Sequence, residues 1–192
     1  MPEVTRTLII ANVVASLAAW LIGGLPFAWF ALWPPDGGFM PWQVASYAFL
    51  HGNLTHLAFN MFGLYFMGAD VERVWGPRRF LTYYAVCVVS AALMQLAVML
   101  LNDAPDGPVV GASGGVFGLL LAFAMLFPNR TIVPLIPPIP MPAWVFALLY
   151  GALELTLGVT GLQSGVAHFA HLGGMVGGWL LIRRWRGQRR WR

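Results

Sequence analysis

Long apolar runs, separated by short stretches rich in glycine, proline or charge, dominate the chain. A membrane-spanning helix needs about 20 mostly apolar residues, and six segments reach or approach that length. They run roughly from Leu8 to Trp29, Leu54 to Ala69, Phe80 to Leu101, Ala112 to Phe127, Pro142 to Val159 and Val166 to Ile182. The third carries no charge, and the fourth is bounded by Gly111 and Pro128. The pattern predicts an all-α membrane protein: a six-transmembrane-helix bundle forming one domain over 1–192, with no separate soluble domain. Between the first two spans, Pro26 to Leu50 holds Trp29, Phe30, Trp33, Pro34, Pro35, Phe39, Met40 and Trp42. Proline breaks that stretch too often for a spanning helix, and aromatics of this density belong at a lipid–water boundary. It is expected to be a long membrane-embedded loop on the outer side.

Composition supports the same class. Of 192 residues, 59% are hydrophobic and 9% charged, where a soluble domain carries roughly a quarter charged residues. Disorder, coiled coil and a water-soluble globule are therefore excluded. A single cysteine excludes a disulfide framework and a multi-cysteine metal site. The net charge of +4 contains no lysine, and arginines placed between apolar runs suit a lipid bilayer surface rather than nucleic acid.

Arginine placement also predicts the orientation. Arg6, Arg73, Arg78, Arg79 and Arg130 flank the spans on one side of a six-span arrangement. So do the arginines of the tail 183–192: Arg183, Arg184, Arg186, Arg189, Arg190 and Arg192. The opposite loops hold Asp36, Asp103 and Asp106. The positive-inside rule then makes both termini cytoplasmic, and the tail an anchor on anionic lipid. A cleavable signal peptide is the competing reading of the N-terminus. Glu3 offsets Arg6 there, and the apolar run continues past the small residues at 15–19, so an uncleaved first span is the better account.

The polar residues that remain are few and clustered. His51 and His56 open the second span, His168 and His171 open the sixth, and Gly-Ala-Ser-Gly-Gly at 111–115 opens the fourth. All three spans run inward, so these groups share the outer half of the membrane, where polar residues are costly and mark functional sites. From Ser113 to Phe127 the helical rise is roughly 21 Å at about 1.5 Å per residue. That is less than the hydrocarbon thickness of about 30 Å, so Ser113 lies below the outer boundary and hydrolysis there needs a cavity open to water. His56 and Asn60 are four apart and share one helix face, while His51 falls just outside that helix. Glycines at 111, 114, 115 and 118, and at 173, 174, 177 and 178, permit close helix approach. If the two stripes meet, Ser113 and His171 come within reach of each other.

Three motifs in this order resemble the rhomboid intramembrane serine proteases. They are His-x4-His-x3-Asn at His51, His56 and Asn60, Gly-Ala-Ser-Gly at 111–114, and Ala-His-Leu-Gly-Gly at 170–174. The resemblance covers nearly the whole chain and the six-span plan of the basic bacterial form, implying the inner (cytoplasmic) membrane. It implies Ser113 as nucleophile and His171 as general base, a dyad without a required acid and without a cofactor or metal. It further implies His56 and Asn60, with the Ser113 amide, as oxyanion-stabilising groups, and Gly111 and Gly174 as supports of the site. Val71-Glu72-Arg73-x2-Gly76 looks like the family's inner turn. Phe117 stands where well-known members carry tyrosine against the catalytic histidine, and His51 and His168 are placed as lining or support. The implied substrates are transmembrane segments of other proteins.

The residues carry other readings. Gly111-x-Ser113-x-Gly115 fits a nucleophile elbow, but that motif needs a strand and a soluble sheet. Glu154, in the fifth span, is a triad acid or a structural hydrogen-bond partner near the outer end, and the second is preferred. Four clustered histidines could bind or transport zinc, although no convincing carboxylate accompanies them at the same depth. A catalytically silent scaffold is the third class, disfavoured because both dyad residues are present.

Overall fold

The computed structural model describes residues 1–101, 107–134, 137–162 and 166–187. Asp103 and Asp106 of the orientation argument, and Arg189, Arg190 and Arg192 of the tail, lie outside the described residues.

The chain is mostly helical. Helix α1 spans Glu3–Ile22, and Gly23 ends it with φ at 90°. The loop that follows contains two short helices, α2 over Gly24–Phe30 and α3 over Gln43–Ser46. Pro26 is accommodated in the first turn of α2, where a missing N–H costs little; the segment is thus more helical than its prolines suggested. Its polar groups are satisfied internally. The buried Gln43 Oε1 accepts from the backbone of Trp33 and Met40 at 3.1 and 3.2 Å, and Trp42 Nε1 donates to the Trp29 carbonyl at 2.9 Å.

Helix α4, Leu54–Gly63, begins at Asn53, whose Oδ1 accepts from the His56 amide at 2.8 Å, an ordinary N-cap. It continues through a π-helical turn at Leu64–Gly68 into α5, Ala69–Trp75. The helical run therefore extends past the expected end at Ala69. The charge of Glu72 is tolerated there because its carboxylate closes the start of α1, accepting from Val4 N, Thr5 N and Thr5 Oγ1 at 2.9, 2.7 and 2.7 Å. Gly76, with φ at 76°, ends α5, and Pro77 opens α6 over Pro77–Leu101. Helix α7 is Ser113–Leu126, followed by a two-residue antiparallel pairing of β1, Thr131–Ile132, with β2, Met141–Pro142. Helix α8 covers Ala143–Thr160, capped by left-handed Gly161, and α9 covers His168–Gly187.

Among the described residues, α1, α6 and α8 are long and apolar enough to cross a membrane, and α7 is a shorter apolar helix. Helix α9 packs mainly on α6 and α7, and glycine makes this possible. A Cβ on Gly174 would overlap the carbonyl of Gly114, whereas Gly173 and Gly177 meet Ser90, Ala91 and Met94 of α6. The α9 stripe thus serves two neighbours, and only part of it meets the glycines of α7. Around that seam Phe80, Tyr83, Leu119 and Phe123 are fully buried.

Candidate active site

Ser113 is the first residue of α7, so its amide N–H is among those left without an intrahelical acceptor. The turn that delivers it is fixed from three directions. Gly111 N donates to the Tyr47 carbonyl at 3.0 Å, and Ala112 N donates to His51 Nε2 at 3.4 Å. Two residues upstream, Val109 exchanges backbone hydrogen bonds of 2.9 Å with Leu32 of the long loop. Gly111 itself has φ at 124°, and a Cβ there would lie 2.6 Å from His56 Nε2. Backbone and neighbour both demand glycine.

His171 sits in the first turn of α9. Its Nε2 accepts from Ser113 Oγ at 2.8 Å, and its Nδ1 donates to Glu154 Oε2 at 2.7 Å. The ring stacks on Phe117 with centroids 4.3 Å apart and planes within 6°, so phenylalanine keeps the packing role without a hydroxyl. Glu154 Oε2 also accepts from His168 Nδ1 at 2.7 Å. Sequence reasoning placed Glu154 as a structural hydrogen-bond partner. It is one, and its partners are the imidazoles of His171 and His168. The signal available was an isolated carboxylate within an apolar span.

Ser113, His171, His56, Asn60 and Phe117 line one cavity of about 1260 Å³, bounded elsewhere by Phe59, Phe62 and Phe66 of the α4 region and by Phe146 and Tyr150 of α8. Asn60 Nδ2 donates to the His56 carbonyl at 3.0 Å, leaving one N–H of the amide for another acceptor. Four other predicted residues stand behind the cavity. Gly111 and Gly174 give the close approaches described above, and His168 braces Glu154. His51 supports the site without lining it. It is fully buried, its Nδ1 donating to Ser16 Oγ at 3.0 Å, while Trp20 Nε1 donates to its carbonyl at 2.8 Å. Burial, and then the nearby His56, push its imidazole down to about 4.

The four histidines do not converge as a zinc-binding set would require, because both ring nitrogens of His51 are engaged elsewhere. Among the described residues, the group compact enough to hold a metal ion is Glu154, His168 and His171, with ligand atoms within 4.8 Å of one another. A carboxylate does therefore stand at the depth of two histidines, contrary to the sequence expectation, and it hydrogen-bonds both.

The rhomboid domain model matches residues 38–186. The chain belongs to the rhomboid family. It is an integral membrane protein, as that membership and its long apolar helices require. Similar proteins include Rhomboid protein 1, mitochondrial, of Saccharomyces cerevisiae, 32% identical over 71% of this chain and 39% of the yeast protein. Rhomboid protease AarA of Providencia stuartii is 32% identical over 73% of this chain and 54% of its own length. RHOMBOID-like protein 4 of Arabidopsis thaliana is 35% identical over 73% and 33%. The chain spans between a third and about half the length of these relatives. Proteases are among the rhomboid family members it resembles.

Proposed function

We propose that the protein is an intramembrane serine endopeptidase that cleaves transmembrane segments of other membrane proteins. The observation that carries this reading is the 2.8 Å hydrogen bond between Ser113 Oγ and His171 Nε2, at the wall of a large cavity within the helical bundle. A serine hydroxyl is a weak nucleophile until an adjacent base takes its proton. Here His171 Nε2 receives the Oγ proton as Oγ bonds to the scissile carbonyl carbon. The same proton passes to the leaving amine as the C–N bond breaks, and water then hydrolyses the acyl-enzyme through the same base. The Ser113 amide lies at the positive end of α7 and, with His56 and the remaining Asn60 N–H, stabilises the oxyanion. The aromatic wall between the α4 region and α8 suits an apolar segment entering from lipid. No cofactor is needed.

In this reading the six spans are α1, the helical run from Leu54 to Trp75, α6, α7, α8 and α9. The long loop lies in the outer leaflet, both termini are cytoplasmic, and the membrane is a bacterial inner membrane. One ion-pair cluster supports the topology: Asp70 pairs with Arg73 and with Arg130, each at 2.5 Å, joining α5 to the loop after α7, which arginine placement puts on the same side.

Fluorophosphonate labelling of the purified protein in detergent tests the activity. Labelling is expected in wild type and absent in Ser113→Ala, with His171→Ala reduced by at least about 100-fold. Equal labelling of all three, or none in a folded wild type, refutes the proposal.

A further inference from the structure

A dyad leaves one question of proton placement open, and Glu154 answers it. A neutral imidazole has two tautomers, and only the Nδ1–H form offers a lone pair at Nε2 to take the serine proton. The hydrogen bond on one ring nitrogen sets which form is present. Glu154 Oε2 stands 2.7 Å from His171 Nδ1 and 2.7 Å from His168 Nδ1. An ionised carboxylate only accepts, so both rings carry their proton on Nδ1. His171 then directs its Nε2 lone pair at Ser113 Oγ, 2.8 Å away. Phe117 fixes the plane of the ring by parallel stacking, and the carboxylate fixes its rotation within that plane. Glu154 is itself held, because its side chain is 10% exposed and the still more buried His168, at 5%, binds the same oxygen.

Resting on the serine-protease reading above, we propose that Glu154 is a positioning residue of the site. Through its bond to His171 Nδ1 it holds the imidazole as the Nδ1–H tautomer, aimed at Ser113, and faces the positive charge that forms on the ring when the serine proton arrives. His168 is the brace that keeps the carboxylate in place. The working unit is then a chain from Ser113 through His171 to Glu154, assembled from α7, α9 and α8.

Two measurements on the whole 192-residue chain in detergent decide this. The first follows the time course of fluorophosphonate inactivation, separating the limiting rate constant from the concentration giving half of it. In Glu154→Gln the rate constant is expected to fall by about 100-fold, the lower end of what positioned proton transfer contributes, with the half-saturating concentration unchanged. Glutamine lacks the negative charge that faces the ring as it becomes positive, and it keeps both bonds only with its single oxygen where Oε2 stood, since its other terminal atom is a donor. Glu154→Asp, which keeps the acceptor, is expected to recover part of the loss. A folded Glu154→Gln protein within about threefold of wild type in rate constant overturns the proposal. So does a loss confined to thermal stability. The second measurement needs no variant of Glu154. In nitrogen-15 spectra of histidine-labelled wild type, the His171 signals, identified by their absence in His171→Ala, are expected to show the Nδ1–H form. A predominantly Nε2–H ring overturns the proposal even if Glu154→Gln does not fold. A wild type that never labels, yet shows the Nδ1–H form, counts against the protease reading and leaves the orienting bond standing.

Discussion

Single residues in this site act through what they exclude as much as through what they donate. Gly111 has no side chain, and that absence lets the chain turn through φ of 124° with His56 pressed against it. Gly111→Ala is expected to cost about 1–3 kcal/mol of strain and to abolish most fluorophosphonate labelling, since His56 and the Ser113 turn cannot both keep their places. Labelling at the wild-type rate would contradict this. His51 makes a second prediction. The unfolded chain takes up a proton at this ring near the ordinary value of about 6.5, whereas the folded protein resists it down to about 4. The unfolded state therefore binds more protons between those values, so stability is complete above the upper one and is lost as pH falls toward the lower. Melting temperature in detergent should fall between pH 7 and pH 4.5 and do so less steeply in His51→Asn; parallel profiles would contradict it. The sequence placed His51 just outside the helix. Its partners Ser16 and Ala112 lie 35 and 61 residues away, and no local spacing reveals them.

At the scale of elements, glycine sets how closely α9 approaches α7 and α6. Gly174→Val would drive a side chain into the Gly114 carbonyl, where neither backbone can yield. Overpacking of this kind costs about 1–3 kcal/mol or more and also moves His171 away from Ser113. A lower melting temperature and lost labelling are expected together. Gly187→Ala, with open space around it, is the control expected to change neither. The positions of these helices were legible because hydropathy and glycine spacing are local properties of the chain. Their ends were less so. The run from Leu54 continues to Trp75 because α1 supplies the N–H groups that accept Glu72 into the packed interior, and hydropathy alone counts Glu72 as a stop. The π-helical turn at Leu64–Gly68 likewise left no mark in the apolar pattern.

At the scale of the whole molecule, the topology we infer makes a prediction of its own. Cys87 is fully buried, so it gives no background to a membrane-impermeant thiol reagent. Asp36→Cys, in the exposed tip of the long loop, is expected to react in intact cells. Gly187→Cys, at the exposed end of α9, is expected to react only after the membrane is opened. The reverse result would invert the orientation, and reaction of both in intact cells would break the six-span count. The same scale explains the candidate site. Ser113, His171 and Glu154 come from three different helices, and the long loop, tied to Val109 through Leu32, braces the strand of chain that presents the serine.

By itself the sequence determined the class, the approximate helices, the family and the identity of the serine, the histidines and Asn60 near the site. Each of those follows from composition, from periodicity within one segment, or from short motifs, and all are readable along a line. The tertiary structure alone decided which nitrogen of His171 meets Ser113, that His171 and His168 share Glu154 Oε2 as one acceptor, that His51 stands behind the cavity, and that one glycine stripe serves two helices. Those are matters of a few tenths of an ångström between residues far apart in the chain. Hydrogen-bond direction and close packing are set only when the helices meet.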